Sequence, residues 1–149
     1  MSEQPYVSII MNCFNGEQYI KHAIESIYAQ TYSDWEVIFW DNASTDESCN
    51  IASSYDSKIK IFKSKRNTSL GEARNKAVEQ ASGEWLAFLD VDDVWLPKKL
   101  EIQLSGLTGS NYLLSYGGIK EVDKNLKVIR ELTPKWKTGF QLRSQLLYF

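Results

Sequence analysis

Four short apolar runs, each followed by a stretch of helical periodicity, constrain this chain more than any single residue does. Tyr6-Val7-Ser8-Ile9-Ile10-Met11 reads as a strand and gives way to a loop at Asn12-Cys13-Phe14-Asn15-Gly16. From Glu17 a helical stripe runs through Ile20, Ala23, Ile24, Ile27 and Tyr28. Trp35-Glu36-Val37-Ile38-Phe39-Trp40 forms the second strand and ends on Asp41-Asn42. Ser44-Thr45-Asp46-Glu47 then supplies N-cap residue types for a helix reaching about Tyr55, and Lys58 to Phe62 makes a third strand. The next helix begins near Leu70, places Leu70, Ala73, Ala77, Val78 and Ala81 on one face, and stops at Ser82-Gly83. Trp85-Leu86-Ala87-Phe88-Leu89 reads as a buried fourth strand, and Pro97 suits the first turn of a helix from Lys98 to about Leu104. Strands separated by helices imply an α/β fold, a mostly parallel central sheet with helices on both faces.

Ligands on such sheets collect at the carboxyl ends of the strands. The polar clusters Asn12–Asn15, Asp41-Asn42 and Asp90–Asp93 all fall at such ends, which points to one site. Beyond Leu107 the character changes. Tyr112-Leu113-Leu114-Ser115-Tyr116 and Lys120-Glu121-Val122 look like strands, and Val122 to Val128 resembles a hairpin around Asp123-Lys124-Asn125. The tail from Gly139 could start a helix and stops on Leu146-Leu147-Tyr148-Phe149, an apolar end that needs further chain, a protein partner or a peripheral membrane contact to cover it.

Composition excludes several classes. A length of 149 residues is enough for a domain with a real core, and 43% hydrophobic with 24% charged residues is ordinary for a globular protein. A net charge of -2 offers no footprint for nucleic acid. The modest basic stretch Lys58, Lys60, Lys63, Lys65 and Arg66 reads as a solvated edge strand and loop. Cys13 and Cys49 lack metal-type spacing and read as reduced thiols of a cytoplasmic protein. Residues Met1 to Tyr6 carry no apolar export region, and no run is long enough to span a bilayer. His22 lies off the apolar stripe of its helix and reads as a surface residue.

The chemistry concentrates in Asp90-Val91-Asp92-Asp93, directly after the fourth strand. Three carboxylates at the end of a strand repel one another and resist desolvation, unless a cation sits among their oxygens. Hard oxygen ligands suit Mg²⁺ or Mn²⁺, so the cluster points to a metal-assisted site for a phosphorylated ligand. No Gly-x-Gly-x-x-Gly follows the first strand, no Gly-Lys-Ser/Thr occurs, and Gly-x-Ser-x-Gly is absent. Two functional readings of the acidic cluster stay open on the residues alone. One is a metal site for a nucleoside diphosphate; the other is the nucleophile of a haloacid-dehalogenase-like phosphatase. An acidic turn capping the helix near Pro97 is the structural alternative.

Motif order favours the first. Val7-Ser8-Ile9-Ile10-Met11-Asn12-Cys13-Phe14-Asn15, Trp40-Asp41-Asn42-Ala43-Ser44-Thr45-Asp46, Asn67-x-x-x-Gly71-x-Ala73-Arg74-Asn75 and Gly83-Glu84-x-x-x-Phe88-Leu89-Asp90-x-Asp92-Asp93 follow one another. The string resembles the nucleotide-binding half of family 2 glycosyltransferases, which have a Rossmann-like GT-A fold. A phosphatase nucleophile would sit on the first strand instead.

The resemblance implies an inverting, metal-dependent transfer from a nucleoside-diphosphate sugar to a glycan or lipid-linked hydroxyl, with Mn²⁺ or Mg²⁺ as cofactor. It implies residues 1–107 as the nucleotide-sugar-binding half and 108–149 as the start of an incomplete acceptor-binding part. Asn12 and Phe14 would border the base, and Asp41 would accept from its ring N–H. Arg74 would reach the diphosphate, unless it is only a surface ion pair. Asp92 would face ribose and metal, and Asp93 would be the main metal ligand. Asp90, Asn42 and Asn67 would support the site, Asn42 standing where many relatives carry a second aspartate. The family's base is an acidic residue well beyond the metal motif. Glu121, Asp123 and Glu131 read better as hairpin or surface charge, so no base is assigned. A donor-binding chain that works with a partner and does not turn over is the alternative in another class.

Overall fold

The computed structural model describes residues 5–123 and 127–132. The chain divides into two compact units, residues 1–105 and 106–149. In the first, β1 (Val7–Cys13), β2 (Trp35–Asp41), β3 (Ile59–Lys63) and β4 (Trp85–Phe88) form one parallel sheet in the order β3-β2-β1-β4. The helices α1 (Ile20–Tyr28), α2 (Ser48–Ser53), α3 (Leu70–Val78) and α4 (Lys99–Leu107) connect or follow these strands.

Pleating sorts the strand residues into two cores. Val7, Ile9 and Met11 of β1 and Val37 and Phe39 of β2 meet Ile20, Ala23, Ile24 and Ile27 of α1, Ala52 of α2, and Leu100 and Leu104 of α4. Ile10 and Ile38 point the other way, onto Ala77 of α3, with Trp40 and Phe62 packed alongside. Helices therefore cover both faces, as the periodicity predicts. Each buried Ile or Phe contributes roughly 1.5–3 kcal/mol, so the α1 side carries most of the hydrophobic stabilisation.

Three expectations fail. Trp85–Leu89 is not a buried strand. β4 lies at a sheet edge, and while Trp85 and Ala87 pack against the α1-side core, Leu86 and Phe88 stay 43% and 50% exposed. On that face α3 packs over β1 and β2. Leu70 does not join the buried face of its helix either; it sits at the first position of α3, 53% exposed. Tyr112–Tyr116 forms no strand and takes an irregular path. The basic stretch does lie along edge strand β3, with Lys60 joined to Glu36 and Lys58 over the Trp35 ring.

The segment after the acidic turn is pinned to α1 by polar side chains. Ser26 Oγ accepts the Trp95 N–H at 3.1 Å, and Gln30 Oε1 accepts the Leu100 N–H at 3.1 Å while its Nε2 donates to the Leu96 carbonyl at 2.9 Å. Both polar residues are buried, and they pair backbone groups in the segment that leads into α4. They fix where the turn can lie.

The second unit contains β5 (Ile119–Val122) and β6 (Val128–Leu132), an antiparallel pair whose irregularity falls between Glu121 and Val122. The expected hairpin is present as a strand pair; Lys124-Asn125 and the apolar tail from Gly139 lie outside the described residues. Among the described residues, no helix is long and apolar enough to cross a membrane.

Candidate functional site

β1 and β2 end side by side, with Cys13 opposite Asp41, so the loops that leave them meet. The Asn15 N–H donates to Ser44 Oγ at 3.0 Å, and the Thr45 N–H donates back to Asn15 Oδ1 at 2.9 Å. Gly16 N–H donates to Ser48 Oγ at 2.9 Å, and Glu17 N–H to Asp46 Oδ2 at 3.0 Å. Asp46 Oδ1 also accepts the Ser48 N–H at 3.0 Å, one residue ahead of the N-cap Glu47, which makes no side-chain cap bond of its own; α2 thus begins at the end of the Ser44–Glu47 signal. Burial opposes ionisation of Asp46, but hydrogen bonds from Ser48 and the Glu17 amide outweigh it and hold the carboxyl below its usual range.

The clasp forces two residues into left-handed backbone, Asn15 at φ 53° and Ala43 at φ 67°. Asn tolerates that region and alanine does not, the penalty being roughly 1–2 kcal/mol. Ala43→Gly is therefore expected to stabilise the protein by about 1 kcal/mol, which thermal denaturation would detect.

Above these strand ends lies a crevice of about 220 Å³. Asn12, Phe14, Asn42, Asn67, Thr68 and Ala73 line most of it, and none of its lining residues carries a formal charge. The Phe14 ring is half exposed at the mouth. Cys13 is also in the wall, and burial pushes its thiol pKa up, so it stays protonated and behaves as a small apolar group. The Nδ2 of buried Asn12 has no hydrogen-bond partner among the described residues.

The crevice thus gathers four of the sequence-predicted residues: Asn12, Phe14, Asn42 and Asn67. Asp41 is buried at the same strand end, with Oδ1 accepting the Ser44 N–H at 2.9 Å, and does not line the crevice. Thr68 and Ser48 went unnoticed in the sequence, and Ser44 was marked only as an N-cap residue type and a motif member. Their only signal is a run of hydroxyl residues in loops, which is not specific.

The acidic turn follows β4 and is closed by the Asp93 N–H on the Asp90 carbonyl at 3.0 Å. Asp90, Asp92 and Asp93 all reach solvent and lie outside the crevice lining. Arg74 Nη2 holds Asp90 Oδ1 at 2.7 Å, so its guanidinium is engaged by the turn. A Cβ on Gly16 would lie 2.9 Å from the Val91 side chain, so the turn abuts the β1–α1 loop. Partial burial of the Asp93 carboxyl, then the like charges of Asp92 and Asp90, push its pKa above the usual value. Among the described residues, no set of three or more acidic, histidine or cysteine side chains is grouped as a ready cage for a metal. Two adjacent carboxylates still suit Mg²⁺ or Mn²⁺, because such ions commonly take one or two protein carboxylates and fill the rest with substrate phosphates and water.

Known proteins share this architecture. The family model described as Glycosyl transferase family 2 matches residues 8–149. The chain is 36% identical over 130 residues to UDP-Glc:alpha-D-GlcNAc-diphosphoundecaprenol beta-1,3-glucosyltransferase WfgD of Escherichia coli, covering 87% of this chain and 51% of that protein. It spans about half the length of that relative. Among solved structures, TarS 1-349 of S. aureus in complex with UDP superposes with a TM-score of 0.64 at 31% identity, over 66% of this chain and 31% of that one. Mannosyltransferase PcManGT from Pyrobaculum calidifontis, in complex with GDP-Man and Mn²⁺, shares the fold with a TM-score of 0.65 at 21% identity, over 83% of this chain and 37% of that one. The family match over residues 8–149 stands against the phosphatase reading, as does the place of Asp90 after the fourth strand rather than the first. By its sequence and its fold, this chain belongs to glycosyl transferase family 2.

Proposed function

We propose that the chain is the donor-binding part of a glycosyltransferase that moves a sugar from a nucleoside-diphosphate sugar to a hydroxyl of a glycan or lipid-linked acceptor, with inversion and with Mn²⁺ or Mg²⁺. One observation carries the reading. An uncharged, aromatic-edged crevice opens at the ends of β1 and β2, and the carboxylates gather separately after β4, the strand on the other side of β1. A nucleoside needs the former, and a metal-bound diphosphate needs the latter. UDP in the TarS complex and the UDP-Glc in the name of the Escherichia coli relative support a nucleoside-diphosphate donor.

In this reading Phe14 stacks on the base, Asn12 borders it and Asp41 accepts from its ring N–H. Asp93 and Asp92 hold the metal, Asp92 also facing the ribose. Arg74 serves the diphosphate side from its place on Asp90, which supports the turn. The bound ion would neutralise charge on the departing diphosphate. The acceptor hydroxyl must lose its proton to a base, and the described residues supply no assigned one. Glu121 and Glu131 face Arg130 and Lys120 at 3.8 and 3.4 Å across the hairpin, in keeping with surface charge. Polysaccharide assembly at the inner face of a membrane is the setting that fits such an acceptor.

Calorimetry with UDP and GDP, each with and without Mn²⁺, tests the reading. Metal-dependent binding of at least one is the expected result; no binding of either removes the proposal. Asp93→Ala is expected to reduce the metal-dependent affinity by at least the roughly 10–100-fold that loss of an outer-shell metal partner costs. Binding without any transfer or donor hydrolysis would instead favour a chain that works only with a partner.

A further inference from the structure

The loop between β3 and α3 supplies one wall of the crevice, through Asn67 and Thr68. Asn67 is exposed and Thr68 half-buried, so little apolar packing holds them. Among the described residues, the hydrogen bonds that tie this pair to the sheet all run to one side chain, that of Asn42. Asn42 Nδ2 donates to the Thr68 carbonyl at 2.8 Å and to Asn67 Oδ1 at 3.1 Å. Its Oδ1 accepts from the Thr68 N–H at 3.2 Å and the Thr68 hydroxyl at 3.0 Å. Asn42 itself is only 6% exposed, and its N–H donates to the Cys13 carbonyl at 2.8 Å, next to Phe14. Both walls of the crevice are thereby referred to one residue.

We propose that Asn42 is a positioning residue for the donor, holding the Asn67–Thr68 wall at the distance from Phe14 that a nucleoside fills. The inference rests on the donor-binding reading above. The clasp needs a carboxamide, because two of its bonds require a donor and two require an acceptor. A carboxylate of the same shape can accept from Thr68 but would set an anionic oxygen against the Thr68 carbonyl and Asn67 Oδ1. The segment from Ser69 onward is the N-terminus of α3, with Ser69 Oγ accepting the Glu72 N–H, so a displaced Thr68 would also disturb the helix that carries Arg74.

The test uses the full chain with UDP and Mn²⁺ as the probe, or GDP if only that binds. Binding is read by calorimetry, and hydrogen exchange is followed at two amides. The Thr68 amide reports the clasp; the amide of buried Val37 on inner strand β2, which donates to the Lys58 carbonyl, reports general stability. Affinity is expected to fall about tenfold or more in Asn42→Asp, which loses the two Nδ2 bonds, and in Asn42→Ala, which loses all four, and about threefold in Thr68→Val, which loses the hydroxyl bond alone. Thr68 exchange should quicken in the Asn42 variants far more than Val37 exchange. Affinities within twofold of the parent in the folded variants would overturn the proposal, as would equal acceleration at both amides. Should the Asn42 variants not fold, Thr68→Val decides by the same criterion. If the parent chain binds neither nucleotide, the donor-binding reading falls and takes this one with it; if the parent binds and the variants match it, only this inference falls.

Discussion

Glu36→Ala is expected to destabilise the protein by about 3 kcal/mol, because it removes a buried carboxylate that accepts three hydrogen bonds. Glu36 is 3% exposed at the start of β2, opposite Ser8 of β1. Its Oε1 accepts from Ser8 Oγ at 2.6 Å, the Ser82 N–H at 2.9 Å and Ser82 Oγ at 2.7 Å. Its Oε2 faces Lys60 Nζ of β3 at 2.5 Å. One carboxylate thus joins three neighbouring strands and the turn into β4. Removing it takes an acceptor from the buried Ser8 hydroxyl and from the part-buried Ser82 N–H and hydroxyl, and a buried donor left unpaired costs roughly 1–3 kcal/mol. Burial raises the pKa of Glu36, but Lys60, Ser8 and Ser82 together outweigh it and hold it below the ordinary value. A folded pKa lower than the unfolded one stabilises the protein above the unfolded pKa, and that contribution is lost as pH falls through the folded one. Denaturant unfolding of the parent and of Glu36→Gln should therefore differ most near neutrality and converge in acid below the normal glutamate range. A gap that persists unchanged there would refute the account.

Gly83→Ala should lower stability by about 3 kcal/mol, a melting-temperature drop of roughly 10 °C. A Cβ at this position would stand 2.6 Å from the Ser8 nitrogen, 2.8 Å from the Val7 carbonyl carbon and 2.9 Å from Ser8 Oγ. The first two are backbone of a central strand and cannot rotate away. β4 would have to move off β1, breaking the Gly83 N–H to Ser8 Oγ bond of 2.8 Å as it went. Scanning calorimetry gives the answer, with Gly71→Ala as the control, since nothing lies within 4 Å of a Cβ there. Equal melting temperatures for the two variants would contradict the close approach.

Much of this was legible in the chain. Strand order along the sequence, the face of α1 and the position of the acidic turn follow from apolar spacing, because local periodicity and the pleat dictate which side chains point together. Tyr112–Tyr116 misled for the same reason: an apolar run has strand character whether or not a neighbour pairs with it. Leu86, Phe88 and Leu70 misled because exposure depends on where α3 stops covering the sheet, which no window of residues records.

The site divides the same way. Residue types at the strand ends marked Asn12, Phe14, Asp41, Asn42 and the Asp90–Asp93 turn, since polar groups at such ends have few structural uses. Tertiary structure alone decided that Asp41 sits behind the crevice wall, that Arg74 is held by Asp90, and that Asn42 clasps Thr68. Those outcomes depend on hydrogen bonds between residues distant in sequence. Their partners are chosen by the separation of folded backbones, and that separation is written in no single segment of the chain.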